Sequence, residues 1–198
     1  MNYYRNLING ELAGTEKALQ VLNPANLEIV GHAPLLSRQE LEHAIEAASQ
    51  AFSTWKKTSF ESRQEVLRQL SRALEQKKSE LAKLLTLEQG KPLASAEGEI
   101  QRCADWLSYF ANLPDLDQLV RYQLDDQVVV GRTPLGVVAA IVPWNFPMSL
   151  ATWKIAPALL MGNTVVWKPS PFTPLTSLRF GELIKDIVPP RRYKHHHG

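Results

Sequence analysis

Residues 136–174 read GVVAAIVPWNFPMSLATWKIAPALLMGNTVVWKPSPFTP, and this stretch decides the fold. Its apolar opening, Gly136–Val142, suits a strand buried on both faces. Pro143-Trp144-Asn145-Phe146-Pro147 makes a stiff turn, with Pro147 placed to open a helix that runs to Leu160. Met161-Gly162-Asn163 reads as a turn, Thr164–Trp167 as a second strand, and Thr173/Pro174 to Ile187 as a second helix. That order predicts an α/β fold around a parallel pair of strands. Asn145 is the one polar side chain of the first turn. At the carboxyl end of a parallel strand its amide would stand where such folds bind ligands. It can donate there to a developing oxyanion, an interaction worth roughly 3–4 kcal/mol in preorganised sites. The alternative is an asparagine that only caps the following helix.

Upstream, residues 4–34 alternate short apolar segments with Asn9-Gly10, Ala13-Gly14, Asn23-Pro24 and Gly31, a pattern of hairpins or extended wrapping segments. Ser37-Arg38-Gln39-Glu40 matches a capping box. Leu41, Ile45, Ala48, Phe52 and Trp55 follow at helical spacing, which predicts one buried face. A second helical run from Phe60 to Glu88 carries Leu67, Leu70, Leu74, Leu81 and Leu85 on its core side, and Gly90 and Pro92 stop it. A third helix covers about Ala94 to Leu113, before Pro114. Leu119 to Arg132 reads as two antiparallel strands forming a hairpin that leaves the main body.

Composition narrows the class. The 198 residues carry 22 basic and 20 acidic side chains, a balance that argues against nucleic acid or a membrane surface as partner. Cys103 is the only cysteine, so no intrachain disulfide is available and a cytoplasmic setting is expected. The N-terminal MNYYRNLINGEL lacks the layout of a signal peptide, and the apolar run Leu135–Trp144 is too short to span a bilayer. No metal site is expected. No G-x-G-x-x-G occurs, and the Gly131–Gly136 segment lacks the Lys-Ser/Thr of a P-loop.

Several words of this chain occur together in one known family. They are Pro134-Leu135-Gly136-Val137, Pro143-Trp144-Asn145-Phe146-Pro147, Trp153-Lys154, Pro157-Ala158-Leu159, Gly162-Asn163-Thr164, Lys168-Pro169-Ser170 and, upstream, Glu88-Gln89-Gly90-Lys91-Pro92-Leu93. The chain resembles the NAD(P)-dependent aldehyde dehydrogenase superfamily over about residues 5–190, in one register. The resemblance implies an incomplete Rossmann-like cofactor domain with N-terminal helices and a protruding β-hairpin. Its expected divisions are 1–117 (strands and helices of the cofactor domain), 118–133 (hairpin of an oligomerisation or bridging element), 134–190 (first βαβα part of the dinucleotide fold) and 191–198 (a tail unlike the family).

The same resemblance assigns roles. Asn145 matches the oxyanion-hole amide, and Lys154 a lysine near the active site. Val142, Pro143 and Trp144 match backbone positions along the cofactor, Lys168 the lysine that bonds the adenosine ribose, and Ser170 its neighbour in the same motif. Phe146, Leu150 and Trp153 match the walls of the aldehyde tunnel. The implied partners are a small aldehyde and NAD or NADP, with a homo-oligomer as the family habit. Pro171 stands where many NAD-preferring members carry a glutamate three residues after the ribose lysine, so NADP is as well supported as NAD.

The family's reaction uses a cysteine thiolate and a glutamate base, both of which follow the Lys-Pro-Ser segment in its members. Here Cys103 falls inside a helix, as a buried structural thiol, and Glu88 belongs to the helix-end signature. The expectation is a truncated and inactive piece. The alternative is a non-catalytic remnant that binds NAD(P) weakly or associates with an intact relative. The last residues, Arg191-Arg192-Tyr193-Lys194-His195-His196-His197-Gly198, replace the family's usual Gly-Val-Ile-Asn-Ile-Ile-Thr-Gly strand. Codons can be written for this tail whose frame one base later encodes that strand, which favours a frameshift over an expression-tag remnant or a metal-binding tract. The gene's nucleotides decide among them.

Overall fold

The computed structural model describes residues 2–115, 123–125, 128–129 and 132–188. The 191–198 tail lies outside the described residues, as does most of the 118–133 segment.

The N-terminal segments form two hairpins. β1 (Asn6–Ile8) and β2 (Glu11–Ala13) pair antiparallel across Asn9 and Gly10, which have φ of 53° and 79°. Asparagine followed by glycine tolerates this left-handed pair best, and its twist matches that of the strands. β3 (Ala18–Leu22) and β4 (Ile29–Pro34) make the second antiparallel hairpin.

α1 (Arg38–Trp55) opens on the expected capping box: Glu40 N donates to Ser37 Oγ at 3.3 Å, and Ser37 N to Glu40 Oε2 at 2.6 Å. Its buried face is shorter than the spacing predicts. Ala48 and Phe52 are half-buried and Trp55 is buried, but Leu41 and Ile45 are 42% and 44% exposed. The reason is where α1 rests. Its C-terminal half lies on residues 159–164, with Trp55 Nε1 donating to the Leu159 carbonyl at 3.2 Å and Thr164 Oγ1 to the Ala48 carbonyl at 2.9 Å. The first turns overhang.

The single run expected over 60–88 is two helices, α2 (Phe60–Gln76) and α3 (Lys78–Gln89), hinged at Lys77 with φ −107° and ψ 12°. The break sacrifices little backbone bonding, since Lys77 N still reaches the Ala73 carbonyl at 3.2 Å and Leu81 N the Lys77 carbonyl at 2.9 Å. It turns α3 so that Leu81 and Leu85 join Leu67, Leu70 and Leu74 of α2 against Ile100, Cys103, Ala104 and Leu107 of α4 (Leu93–Ala111). All five predicted leucines are buried. α3 stops on Gly90, whose φ is 85° and where a Cβ would come within 2.7 Å of Pro24 Cγ. Conformation and close approach both demand glycine there. β5 (Gln123–Asp125) and β6 (Val128–Val129) pair antiparallel, in keeping with the expected hairpin.

The decisive stretch folds as β7 (Val137–Ile141), α5 (Pro147–Leu160), β8 (Thr164–Lys168) and α6 (Leu175–Leu183). β7 and β8 run parallel, from Val137 opposite Thr164 to Ile141 opposite Lys168. β7 is not buried on both faces: Ala140, and Val142 just after the strand, are buried, while Val137 and Ile141 are 37% and 63% exposed. Paired residues of parallel strands share a face. The face of Val137 and Ile141 therefore includes Thr164, where α1 covers the sheet, and Ile141 at the far end stays open. Among the described residues this sheet has two strands, so both its outer edges are unpaired. No helix among them is long and apolar enough to cross a membrane.

Candidate functional site

The carboxyl ends of β7 and β8 lie side by side, and Val142 N donates to the Lys168 carbonyl at 3.2 Å. Just beyond them the chain makes the Pro143–Phe146 turn, with Asn145 exposed at its tip. What holds this turn is not visible in its own residues. α5 and α6 begin after Phe146 and Pro174, neither of which supplies a side-chain cap.

Two buried carboxylates from other helices do so instead. Glu99 of α4 accepts from Met148 N at 3.0 Å and Ser149 N at 3.1 Å. Glu88 of α3 accepts from Leu175 N at 2.6 Å and Thr176 N at 3.0 Å. Each places negative charge at the positive end of a helix dipole and satisfies donors the helix leaves open. Burial nevertheless pushes the Glu88 carboxyl up to about 7, with the backbone donors of Leu175 and Thr176 pulling the other way and the Glu99 charge adding to the rise.

The segment between these carboxylates reaches the turn itself. Gln89 Nε2 donates to the Trp144 carbonyl at 3.2 Å and to the Asn145 carbonyl at 2.9 Å. The Lys91 ammonium is ion-paired with Glu99, donates to the Asn145 carbonyl at 3.2 Å, and stands 4.5 Å from the centre of the Phe146 ring. The Asn145 carbonyl is thus doubly held, while its side-chain amide enters no hydrogen bond among the described residues. The helix-cap alternative falls here, because Glu99 carries the open donors of α5. An amide that is exposed, aimed by a held backbone and not otherwise engaged is chemically suited to donate to an oxyanion.

The other sequence-predicted residues take these places. The Val142 side chain is buried, so only its backbone meets the edge, where Pro143 and Trp144 are exposed. Lys168 is exposed and its ammonium donates to the Pro169 carbonyl at 3.2 Å. Ser170 is buried and its hydroxyl accepts from Phe172 N at 3.3 Å, which shapes the loop after β8. Phe146 and Trp153 are about half exposed and Leu150 is half-buried; the three share one face of the first turns of α5 by their spacing. The Trp153 ring lies 5.8 Å from that of Trp106. Lys154 is exposed and donates to the Leu150 carbonyl at 3.3 Å. Asn145 and Phe146 thus stand at the start of α5, Leu150, Trp153 and Lys154 follow over its next two turns, and Pro143, Trp144 and Lys168 lie along the strand ends.

Cys103 faces the core. It is fully buried, its Sγ is 3.8 Å from Ser149 Oγ, and burial pushes the thiol up to about 12. A thiol so protonated and enclosed is no nucleophile. Sequence reasoning did not identify Gln89, Lys91 and Glu99 as site residues. The signal available was two helices that start without caps of their own.

Known proteins match this chain over most of its length. The Aldehyde dehydrogenase family matches residues 12–193. The NADP(+) succinate-semialdehyde dehydrogenase of Escherichia coli is 40% identical over 182 residues, covering 89% of this chain and 38% of that protein. A malonate-semialdehyde dehydrogenase of Bacillus velezensis is 38% identical over 192 residues, covering 94% and 39%. Among solved structures, a double variant of Staphylococcus aureus betaine aldehyde dehydrogenase in complex with NAD+ superposes with a TM-score of 0.88 at 32% identity, over 96% of this chain and 40% of that one. The chain thus spans about two fifths of the length of these relatives. Over that span, sequence and fold agree, and the chain belongs to the aldehyde dehydrogenase family.

Proposed function

We propose that this chain carries the oxyanion donor and part of the dinucleotide shelf of an NAD(P)-dependent aldehyde dehydrogenase, the oxidation of an aldehyde to a carboxylate. One observation carries the reading: the Asn145 amide at the carboxyl edge of the parallel strands, unengaged among the described residues, with the Asn145 carbonyl held by Gln89 and Lys91. When a nucleophile adds to an aldehyde carbonyl, charge collects on the oxygen, and the Asn145 N–H is placed to meet it. Phe146, Leu150 and Trp153 would wall the approach with apolar surface, and Lys154 would set positive potential nearby.

The exposed strand-end Lys168, beside the flat exposed surface of Pro143 and Trp144, fits the ribose and ring faces of a nicotinamide dinucleotide. When bound, that group supplies the hydride acceptor. Lys168 would donate to its ribose hydroxyls, and Trp144 would exclude water from one side. Pro171, exposed where an acid would discriminate against a 2′-phosphate, leaves both NAD and NADP acceptable.

By itself the chain is proposed to be non-catalytic, because its one thiol, Cys103, is sealed in the core. Calorimetry with NAD+ and NADP+, and assays with succinate semialdehyde, malonate semialdehyde and betaine aldehyde, test both parts. We expect weak cofactor binding that Lys168→Ala removes, and no turnover. Turnover abolished by Asn145→Ala would overturn the non-catalytic part. Binding indifferent to Lys168→Ala would overturn the shelf.

A further inference from the structure

We infer that Gln89 and Lys91 are positioning residues for Asn145, and that the buried Lys91–Glu99 pair ties the direction of the Asn145 amide to the N-terminus of α5; the inference rests on the oxyanion reading above. The argument starts from backbone geometry. The direction of a Cβ is set by the two peptide planes that flank its Cα. For Asn145 those planes carry the carbonyls of Trp144 and Asn145, and Gln89 Nε2 donates to both, at 3.2 and 2.9 Å. One side-chain amide thus restrains both torsions of Asn145. The prolines at 143 and 147 cannot do so, because each fixes its own φ and restricts only the residue before it, Val142 and Phe146.

Lys91 adds a second donor to the Asn145 carbonyl, at 3.2 Å. A lysine on a loop would ordinarily hold nothing still, since its long side chain samples many rotamers. Here it is anchored twice, by the Phe146 ring at 4.5 Å and by Glu99, whose carboxylate is fully buried. Glu99 divides its oxygens between tasks. Oε2 takes the Lys91 ammonium, and Oε1 takes Met148 N and Ser149 N. The clamp and the helix start therefore share one carboxylate. Gly90 supplies the bend that lets residues 89 and 91 reach the same carbonyl.

Hydrogen exchange read by mass spectrometry on the full chain tests this, with Gln89→Ala, Lys91→Met, Lys91→Arg and Asn145→Ala. We expect peptides covering 143–150 to exchange about tenfold faster in Gln89→Ala and Lys91→Met, with the α2 and α4 peptides unchanged. Lys91→Arg should restore most of the protection, and Asn145→Ala should leave it intact because the amide is not part of the clamp. Unaltered exchange over 143–150 in Gln89→Ala overturns the inference. So does acceleration that is equal in the α2 and α4 peptides, which would mark a general structural role. Gln89→Ala keeps the test decisive if Lys91→Met unfolds the chain. The readout involves neither cofactor nor aldehyde, so failure of the clamp and failure of the oxyanion reading are separately visible.

Discussion

Glu88 sets burial against helix capping, and burial wins. Its carboxyl lies near 4.5 in the unfolded chain and is raised to about 7 in the fold. Between those values the unfolded state has released the proton while the folded state keeps it, so stability falls as pH rises from 4.5 to 7. The penalty is complete above that window and absent below it, and its ceiling is on the order of 3 kcal/mol. Glu88→Gln keeps an acceptor for the α6 donors and removes the ionisation. Urea unfolding followed across the window should show a wild-type midpoint that declines with pH and a flatter Glu88→Gln profile. Parallel profiles would show that Glu88 does not carry the dependence. The inertness of Cys103 was legible in the sequence, because it falls inside a predicted helix that matches a helical segment of the family. The caps were less so: Glu88 and Glu99 sit on apolar faces, which signals a partner for each without saying which backbone donors they meet.

Among elements, the sequence marks helix ends better than helix contacts. Gly90 is legible as a stop, since a left-handed residue after a helical run has few alternatives to glycine. Gly90→Ala should cost about 1–3 kcal/mol from backbone strain, before any clash with Pro24. Gly14→Ala, where no atom lies within 4 Å of the added carbon, should stay within about 0.5 kcal/mol. Equal effects at the two sites would refute the conformational argument. The hinge at Lys77 was not legible, because no glycine or proline marks it and the neighbours of α3 dictate it. The exposed Leu41 and Ile45 have the same origin. Periodicity names a face; only tertiary contact says how far along the helix that face is covered.

At the scale of the molecule, the order of strands and helices and the parallel pairing were readable from residues 136–174, and the structure keeps them. The openness of one sheet face was not, because an apolar strand gives no sign of which neighbours reach it. Ile141, Trp144, Phe146 and Trp153 are exposed on the sheet, its end or the helix that follows, and among the described residues both edges of the sheet are unpaired. Such surface favours association. Sedimentation should show mass rising with concentration, together with enhanced fluorescence of an apolar dye. A monodisperse monomer with no dye response at high concentration would contradict this. The glutamate caps carry one further consequence. The N-termini of α5 and α6 are the natural cradles for phosphate in a fold of this kind, and the carboxyls of Glu99 and Glu88 already occupy their open donors, Glu88 gaining its charge only as pH rises through about 7. A dinucleotide on this edge would find the donors of both helix starts already taken, so its pyrophosphate would need some other group of donors.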